Sequence, residues 1–214
     1  MTEQELKILA QQLSNPEGET GREVAKMMNE TNISMTKESI KALHLKDNEK
    51  ILELGHGNAG HLSYLLDFAD NIQYTGLEIS QTMKSEAENI NSKYLSQAEF
   101  HLYDGNKIPF ENETFDKVMT VNTIYFWENP VEFFNEIYRV LTKDGSFVLT
   151  FAKKDFMKNL PFTADFKLYN YEDVEELVSQ TNFKRMICSD KEEFIFSKIG
   201  EPVRREYKVL TIKK

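Results

Sequence analysis

The sequence ILELGHGNAGHL, residues 51–62, decides how this chain is expected to fold. Its first four residues are apolar except for Glu53, which is typical of a short buried strand. Gly55, Gly57 and Gly60 follow, and an amphipathic helix with three leucines comes next. The first two glycines permit a tight turn and the close approach of a ligand. Strand, turn and helix start together predict a nucleotide-type cradle lined by backbone N–H groups.

Downstream of this stretch, strands alternate with helices. The predicted strands are residues 50–54, 73–79, 99–103, 115–121 and 146–151. Such an alternation predicts a parallel sheet that is covered by helices on both faces. Two last extended runs, 184–197 and 205–212, are joined by Gly200-Glu201-Pro202 and predict an antiparallel pair at the sheet edge.

Upstream of residue 50, the hydrophobic spacing predicts three helices within residues 1–45. The second is expected to end near residues 29–32, and the third to begin at Thr36 as its N-cap. These helices cannot form a core of their own. We therefore expect them to pack over the sheet as a lid or a buttress.

Composition excludes several classes of function. The chain has 214 residues, 40% of them hydrophobic, and a net charge of −9, which argues against a nucleic-acid partner. The single cysteine, Cys188, fits a reducing compartment and is expected to be a small buried side chain. Without a signal peptide or a long apolar run, the chain is expected to be cytoplasmic, with no membrane partner.

Two classes of ligand fit the glycine turn. Residues 55–60 match G-x-G-x-x-G, and Glu78 lies about 20 residues on, as in dinucleotide-binding proteins. Three features disagree with a dinucleotide. Glu53 is poorly placed beside a pyrophosphate, Asp104 adds a second acid at the end of the third strand, and roughly 60 residues after the fifth strand are too few for a catalytic domain.

These acids fit a positively charged nucleoside without phosphate. S-adenosylmethionine carries a sulfonium and an ammonium group, and acids at the carboxyl ends of adjacent strands would meet its polar groups. Glu53 is expected near the methionine ammonium, directly or through water. Glu78 is expected to accept from both ribose hydroxyls, and Asp104 from the adenine amino group.

Four motifs carry a family resemblance: ILELGHGNAGHL, YTGLEIS, YDGNKIPFENETFDKV and RVLTKDGSFVLTF. In order and spacing the chain resembles class I S-adenosylmethionine-dependent methyltransferases, and looks most like their small-molecule, "type 11" group. The resemblance implies a Rossmann-like α/β fold whose seven-stranded, mostly parallel sheet has an antiparallel last strand. Two departures are Ala59, where the family usually has glycine, and His56, which replaces a small residue or cysteine and is expected to be a partly exposed loop side chain.

The resemblance also implies a set of site residues. Those predicted to bind the cofactor are Glu53, Gly55, His56, Gly57, Glu78, Ile79, Asp104, Gly105 and Asn122. In the run VNTIYFWENP, residues 121–130, we expect Tyr125, Phe126 and Trp127 to wall the transferred methyl group, since aromatic faces favour a sulfonium cation. No metal is expected, and no residue stands out as a general base.

The expected reaction is methyl transfer from S-adenosylmethionine to a small-molecule nucleophile by in-line displacement, which leaves S-adenosylhomocysteine. We expect a single domain over residues 1–214. It would comprise a helical cap (1–47), a cofactor-binding core (48–152) and a substrate-lining segment with the terminal strands (153–214). An NAD(P)-dependent oxidoreductase and a non-catalytic adenosyl-binding protein stay open as alternatives. The sequence specifies neither the methyl acceptor nor the oligomeric state.

Overall fold

The computed structural model describes residues 1–196 and 202–214. Within these residues, seven strands form one sheet. The strands are β1 (Lys50–Leu54), β2 (Gln73–Glu78), β3 (Ala98–Leu102), β4 (Phe115–Val121), β5 (Leu141–Ala152), β6 (Arg185–Phe196) and β7 (Pro202–Lys213). The helices are α1 (Glu3–Ser14), α2 (Gly18–Leu43), α3 (Leu62–Leu66), α4 (Gln81–Ile90), α5 (Pro130–Val140), α6 (Lys154–Met157) and α7 (Tyr171–Ser179).

The strands lie in the order β3-β2-β1-β4-β5-β7-β6. Neighbours from β3 to β5 are parallel, whereas β7 runs antiparallel to both β5 and β6. The predicted seven-stranded sheet with an antiparallel last strand is therefore confirmed. The pairing of β5 with β4 becomes regular only from Ser146, where the strand was predicted to begin. The predicted turn at Gly200 and Glu201 lies outside the described residues.

The centre of the sheet is covered on both faces. Residues 145–152 of β5 are buried without interruption, as expected for a strand with helices on either side. α2 packs against β4, β5 and β7, α4 packs against β2 and β3, and α5 packs against β5. Among the described helices, none is both long and apolar enough to cross a membrane.

One continuous helix, α2, replaces the second and third helices predicted near the N-terminus. The predicted break at residues 29–32 and the N-cap at Thr36 are wrong. The hydroxyl of Thr36 donates to the carbonyl of Asn32 one turn back, at 3.2 Å, and so caps nothing. Arg205 of β7 donates to the carbonyl of Thr31 at 2.5 Å and to Oδ1 of Asn32 at 2.8 Å. Packing against the sheet thus keeps the helix intact through a polar stretch.

The start of α2 is fastened to α4. The backbone N–H of Gly18 donates to Oγ1 of Thr82 at 3.2 Å, and Nε of Arg22 lies 2.9 Å from Oε1 of Glu86. Because α4 follows β2, these contacts hold the N-terminal helices close to the carboxyl edge of the sheet.

Candidate ligand-binding site

A cavity of about 140 Å³ lies between the carboxyl edge of the sheet and the N-terminal helices. Six of the nine residues predicted to bind the cofactor line it: Glu53, Gly55, His56, Gly57, Glu78 and Asn122. From the opposite side, the lining includes Leu13, Pro16, Met28, Asn29, Asn32 and Thr36. The fold therefore brings most of the predicted cofactor residues together, and adds a wall from α1 and α2.

The glycine turn has the backbone geometry that the sequence predicts. Gly55 and Gly57 have φ angles of +70° and +57°, a region that side chains with a Cβ rarely adopt. A Cβ on Gly55 would also lie 2.5 Å from Cγ2 of Thr123. Ala59 adopts a φ of +48°, which explains physically why glycine is usual at this position.

Gly60 serves packing between the loop and α2. A Cβ on Gly60 would lie 2.6 Å from Nδ2 of Asn29, so a larger residue would force the side chain of Asn29 to move. The glycine thus permits a polar side chain of α2 to reach the rim of the cavity.

Glu78, the last residue of β2, accepts a hydrogen bond from the glycine turn. Its Oε2 accepts from the backbone N–H of Gly57 at 3.0 Å, and its Oε1 accepts from Ile79 at 2.8 Å and Ser80 at 3.3 Å. The side chain is 5% exposed, and this burial raises the pKa of the carboxyl although the three N–H groups oppose it. Because Oε2 accepts only one of these bonds, it has room for a further donor.

Glu53 has a partner that the sequence analysis missed. Its Oε2 lies 2.8 Å from Nε2 of His61 and 2.6 Å from the hydroxyl of Tyr74, which donates to it. All three side chains are buried, and both Glu53 and His61 line the cavity. One signal was available in the sequence, since a buried strand-end carboxylate requires a donor and His61 opens the next helix.

Electrostatics favour an ion pair between Glu53 and His61. Burial alone raises the pKa of Glu53, but the charge and hydrogen bond of His61, with the bond from Tyr74, outweigh it and leave the pKa lowered. Burial alone lowers the pKa of His61, but the Glu53 carboxylate outweighs it and leaves the pKa raised. Both shifts favour the ionised forms, a carboxylate on Glu53 and an imidazolium on His61.

His56 is not the partly exposed loop residue that the sequence analysis expected. The side chain is 5% exposed, and its ring lies 5.1 Å from that of Phe100. Neither ring nitrogen has a hydrogen-bond partner among the described residues, and burial lowers the pKa to about 4. The imidazole is therefore neutral at neutral pH. It packs under the glycine turn because Gly76 leaves space for the ring.

Three predicted cofactor residues lie outside the cavity lining. Ile79 is 40% exposed, and a Cβ on Gly105 would lie 3.4 Å from its Cγ2, so the two are neighbours. Asp104 is exposed, and its Oδ1 accepts from the N–H groups of Asn106 and Lys107, each at 2.8 Å. These two bonds are the main cause of its lowered pKa, and they hold the loop after β3 in shape.

The three aromatic residues predicted to wall the methyl group, Tyr125, Phe126 and Trp127, do not all line the cavity. Tyr125 and Trp127, predicted to wall the methyl group, are 4% and 5% exposed and belong to the core. The hydroxyl of Tyr125 lies 2.9 Å from the carbonyl of Ala152, and the ring of Trp127 lies 4.7 Å from that of Phe133. Phe126 is the aromatic residue of this run that lines the cavity.

Asn122 lines the cavity but also joins β4 to β5. It adopts a φ of +58°, and its Oδ1 accepts from the N–H of Ala152 at 3.1 Å. Its Nδ2 points to Sδ of Met35 at 3.6 Å, a weak contact that a stronger acceptor would replace.

No metal centre is found in the part of the chain that the structure describes. No three His, Cys, Asp or Glu side chains within residues 1–196 and 202–214 are grouped so as to hold an ion.

Comparison with known sequences gives one family. Residues 52–149 match the family model described as "Methyltransferase domain". Phosphoethanolamine N-methyltransferase 3 of Arabidopsis thaliana is 24% identical over 165 residues, covering 74% of this chain and 34% of that protein. Fatty-acid O-methyltransferase of Mycolicibacterium smegmatis is 28% identical over 107 residues, covering 50% of this chain and 38% of that protein. The chain spans 62% or less of the length of the first three curated relatives that it matches.

Solved structures share the fold. A SAM-dependent methyltransferase from Aquifex aeolicus superposes with a TM-score of 0.66 at 19% identity, covering 87% of this chain and 96% of that one. Phosphoethanolamine N-methyltransferase 2 of Haemonchus contortus, solved with phosphomonomethylethanolamine and S-adenosylhomocysteine, gives 0.66 at 16% identity, covering 86% and 53%.

Proposed function

We infer, from the premise that residues 52–149 are a methyltransferase domain, that this protein transfers a methyl group from S-adenosylmethionine to a small molecule. The resemblance of the sequence motifs to class I methyltransferases is confirmed by that match.

The observation that carries the proposal is the charge of the cavity. Two buried carboxylates, Glu53 and Glu78, line it around the glycine turn, and neither lysine nor arginine is among its described lining residues. A pyrophosphate would meet two acids and a single basic side chain, His61, whose charge is balanced by Glu53. A ligand with a sulfonium and an ammonium group fits the same surface, which favours the methyltransferase over the oxidoreductase.

The cofactor is proposed to lie along the ends of β1, β2 and β3. Oε1 of Glu53 accepts no hydrogen bond from the described residues, and we assign it to the ammonium group. Oε2 of Glu78 is assigned to the ribose hydroxyls. Ile79 and Gly105 would flank the adenine, with Asp104 accepting from its amino group, so that the adenine lies at the rim rather than inside the cavity.

When bound, the cofactor supplies a methyl group on a positively charged sulfur. The chain contributes alignment and exclusion of water, from which much of the acceleration of such a displacement comes. Asn122 and the ring of Phe126 line the cavity beside the glycine turn, where they would orient the reacting atoms. The proposal assigns no general base.

The acceptor is proposed to enter between the sheet edge and the N-terminal helices. Met28, Asn32 and Thr36 of α2 line this side of the cavity. We propose that α1 and α2, within a single domain of residues 1–214, act as a lid, and that the Arg22–Glu86 pair is one of its attachments to α4.

Incubation with S-adenosylmethionine labelled in its methyl group, against a panel of small alcohols, amines, thiols and carboxylic acids, tests the proposal. We expect label in at least one acceptor, and adenosyl ligands in native mass spectra of the purified protein. Bound adenosyl ligand without transfer would favour a non-catalytic binding protein, and a bound dinucleotide would favour the oxidoreductase.

A further inference from the structure

The Glu53–His61 pair presents two unused polar atoms. Oε2 of Glu53 is already hydrogen-bonded to both His61 and Tyr74, whereas Oε1 of Glu53 has no hydrogen-bond partner among the described residues. Nε2 of His61 is used by Glu53, whereas Nδ1 has no described partner. Both free atoms remain accessible from outside the protein, although the side chains of Glu53 and His61 are only 3% and 5% exposed. Both residues line the cavity, so a ligand there can reach these atoms.

The two free atoms have opposite character. The Glu53 carboxylate raises the pKa of His61 and so favours the imidazolium form, in which Nδ1 carries a proton and donates. Oε1 of Glu53 belongs to an ionised carboxylate and accepts. His56, the other imidazole at the turn, is neutral and has its ring nitrogens enclosed. His61 is therefore the cationic donor among the described lining residues.

We propose that the Glu53–His61 pair recognises the amino acid end of the cofactor as a zwitterion, with Glu53 taking the ammonium and His61 the carboxylate. The assignment of His61 is new and rests on the proposed function. S-adenosylmethionine carries both groups on one carbon, and a buried pair of opposite charges offers each group a charge-assisted hydrogen bond. A ligand without the carboxylate leaves the donor of His61 unpaired in a buried site, which weakens binding.

Calorimetry with three ligands tests this. S-adenosylhomocysteine has both charged groups, its decarboxylated analogue keeps only the amine, and 5′-methylthioadenosine lacks the amino acid portion. The unaltered protein should bind S-adenosylhomocysteine about tenfold or more tighter than the decarboxylated analogue, the scale of one charge-assisted hydrogen bond. In His61→Gln this ratio should fall to near one, while the affinity for 5′-methylthioadenosine stays the same.

The chain offers a matched control. Nε2 of His101 lies 3.3 Å from Oε2 of Glu99 without a hydrogen bond, and His101 lies outside the cavity lining, so His101→Gln should keep the full ratio. Should His61→Gln not fold, His61→Asn replaces it. Equal affinity of the unaltered protein for the two amine-bearing ligands overturns the assignment, as does an undiminished ratio in the folded His61 variant. Failure of all three adenosyl ligands to bind would instead refute the proposed function.

Discussion

The backbone N–H of Gly57 donates a hydrogen bond to Oε2 of Glu78 at 3.0 Å, which ties the glycine turn after β1 to the end of β2. The contact joins two motifs that are 21 residues apart. It places a carboxylate at the turn before any ligand binds, so the site is largely preformed. The predictions about Glu78 follow from this contact.

Replacement of Glu78 by alanine should weaken S-adenosylhomocysteine binding by about 1–3 kcal/mol, the scale for hydrogen bonds to a charged group. Calorimetry measures the loss, and circular dichroism checks that the variant folds. Affinity equal to that of the unaltered protein would remove Glu78 from the site.

The raised pKa of Glu78 predicts how the stability of the folded chain depends on pH. Burial raises this pKa, so ionisation costs more in the folded than in the unfolded chain. The stabilising contribution of the residue is therefore complete below its unfolded pKa and is lost as the pH rises through the raised folded pKa. Glu78→Gln cannot ionise. Between about pH 4 and pH 7 its melting temperature should rise relative to that of the unaltered protein. A difference that does not change with pH would contradict this.

Tryptophan emission can test whether Phe126, and not Trp127, faces the ligand. Because Trp127 packs 4.7 Å from Phe133 in the core, its emission should hardly respond to S-adenosylhomocysteine. The double variant Phe126→Trp, Trp127→Phe moves the only tryptophan to the cavity lining. Its emission should change in a saturable way. A responsive Trp127 with a silent tryptophan at position 126 would instead assign the wall to Tyr125 and Trp127.

The lid makes a prediction about rates. If α1 and α2 lift to admit ligands, Arg22→Ala should speed both association and dissociation of S-adenosylhomocysteine more than it changes the equilibrium affinity. The melting temperature should hardly change, because Arg22 and Glu86 are both partly exposed. Lys7→Ala, which breaks an exposed pair within α1, is the control. Stopped-flow rates identical to those of the unaltered protein would favour a fixed buttress.

The sheet was predictable because its signals are local. A change of hydrophobic period, glycine turns and acids at strand ends each depend on a few neighbouring residues. The continuity of helix α2 was not predictable, because residues 29–32 are polar and indicate a helix end. What keeps the helix continuous is Arg205, 173 residues from Asn32, and sequence periodicity carries no information about such a contact.

The candidate site was also predictable where it depends on local sequence signals. Glu53, Gly57 and Glu78 follow from backbone position at the ends of strands. The partnership of Glu53 with His61 depends on where the first turn after the glycine loop places the imidazole. The sequence did not show which of the three aromatic residues after β4 faces the cavity, because that depends on the 3₁₀ turn at Ile124–Phe126, which leaves Phe126 in the cavity lining.

The ligand that the cavity binds decides most directly between a methyltransferase and an oxidoreductase. Thermal unfolding should be followed with S-adenosylhomocysteine, NAD and NADP, each at the same concentration. Since a ligand that binds only the folded state stabilises it by mass action, S-adenosylhomocysteine should raise the melting temperature in a saturable way and the dinucleotides should not. A rise with NAD or NADP alone would contradict the account.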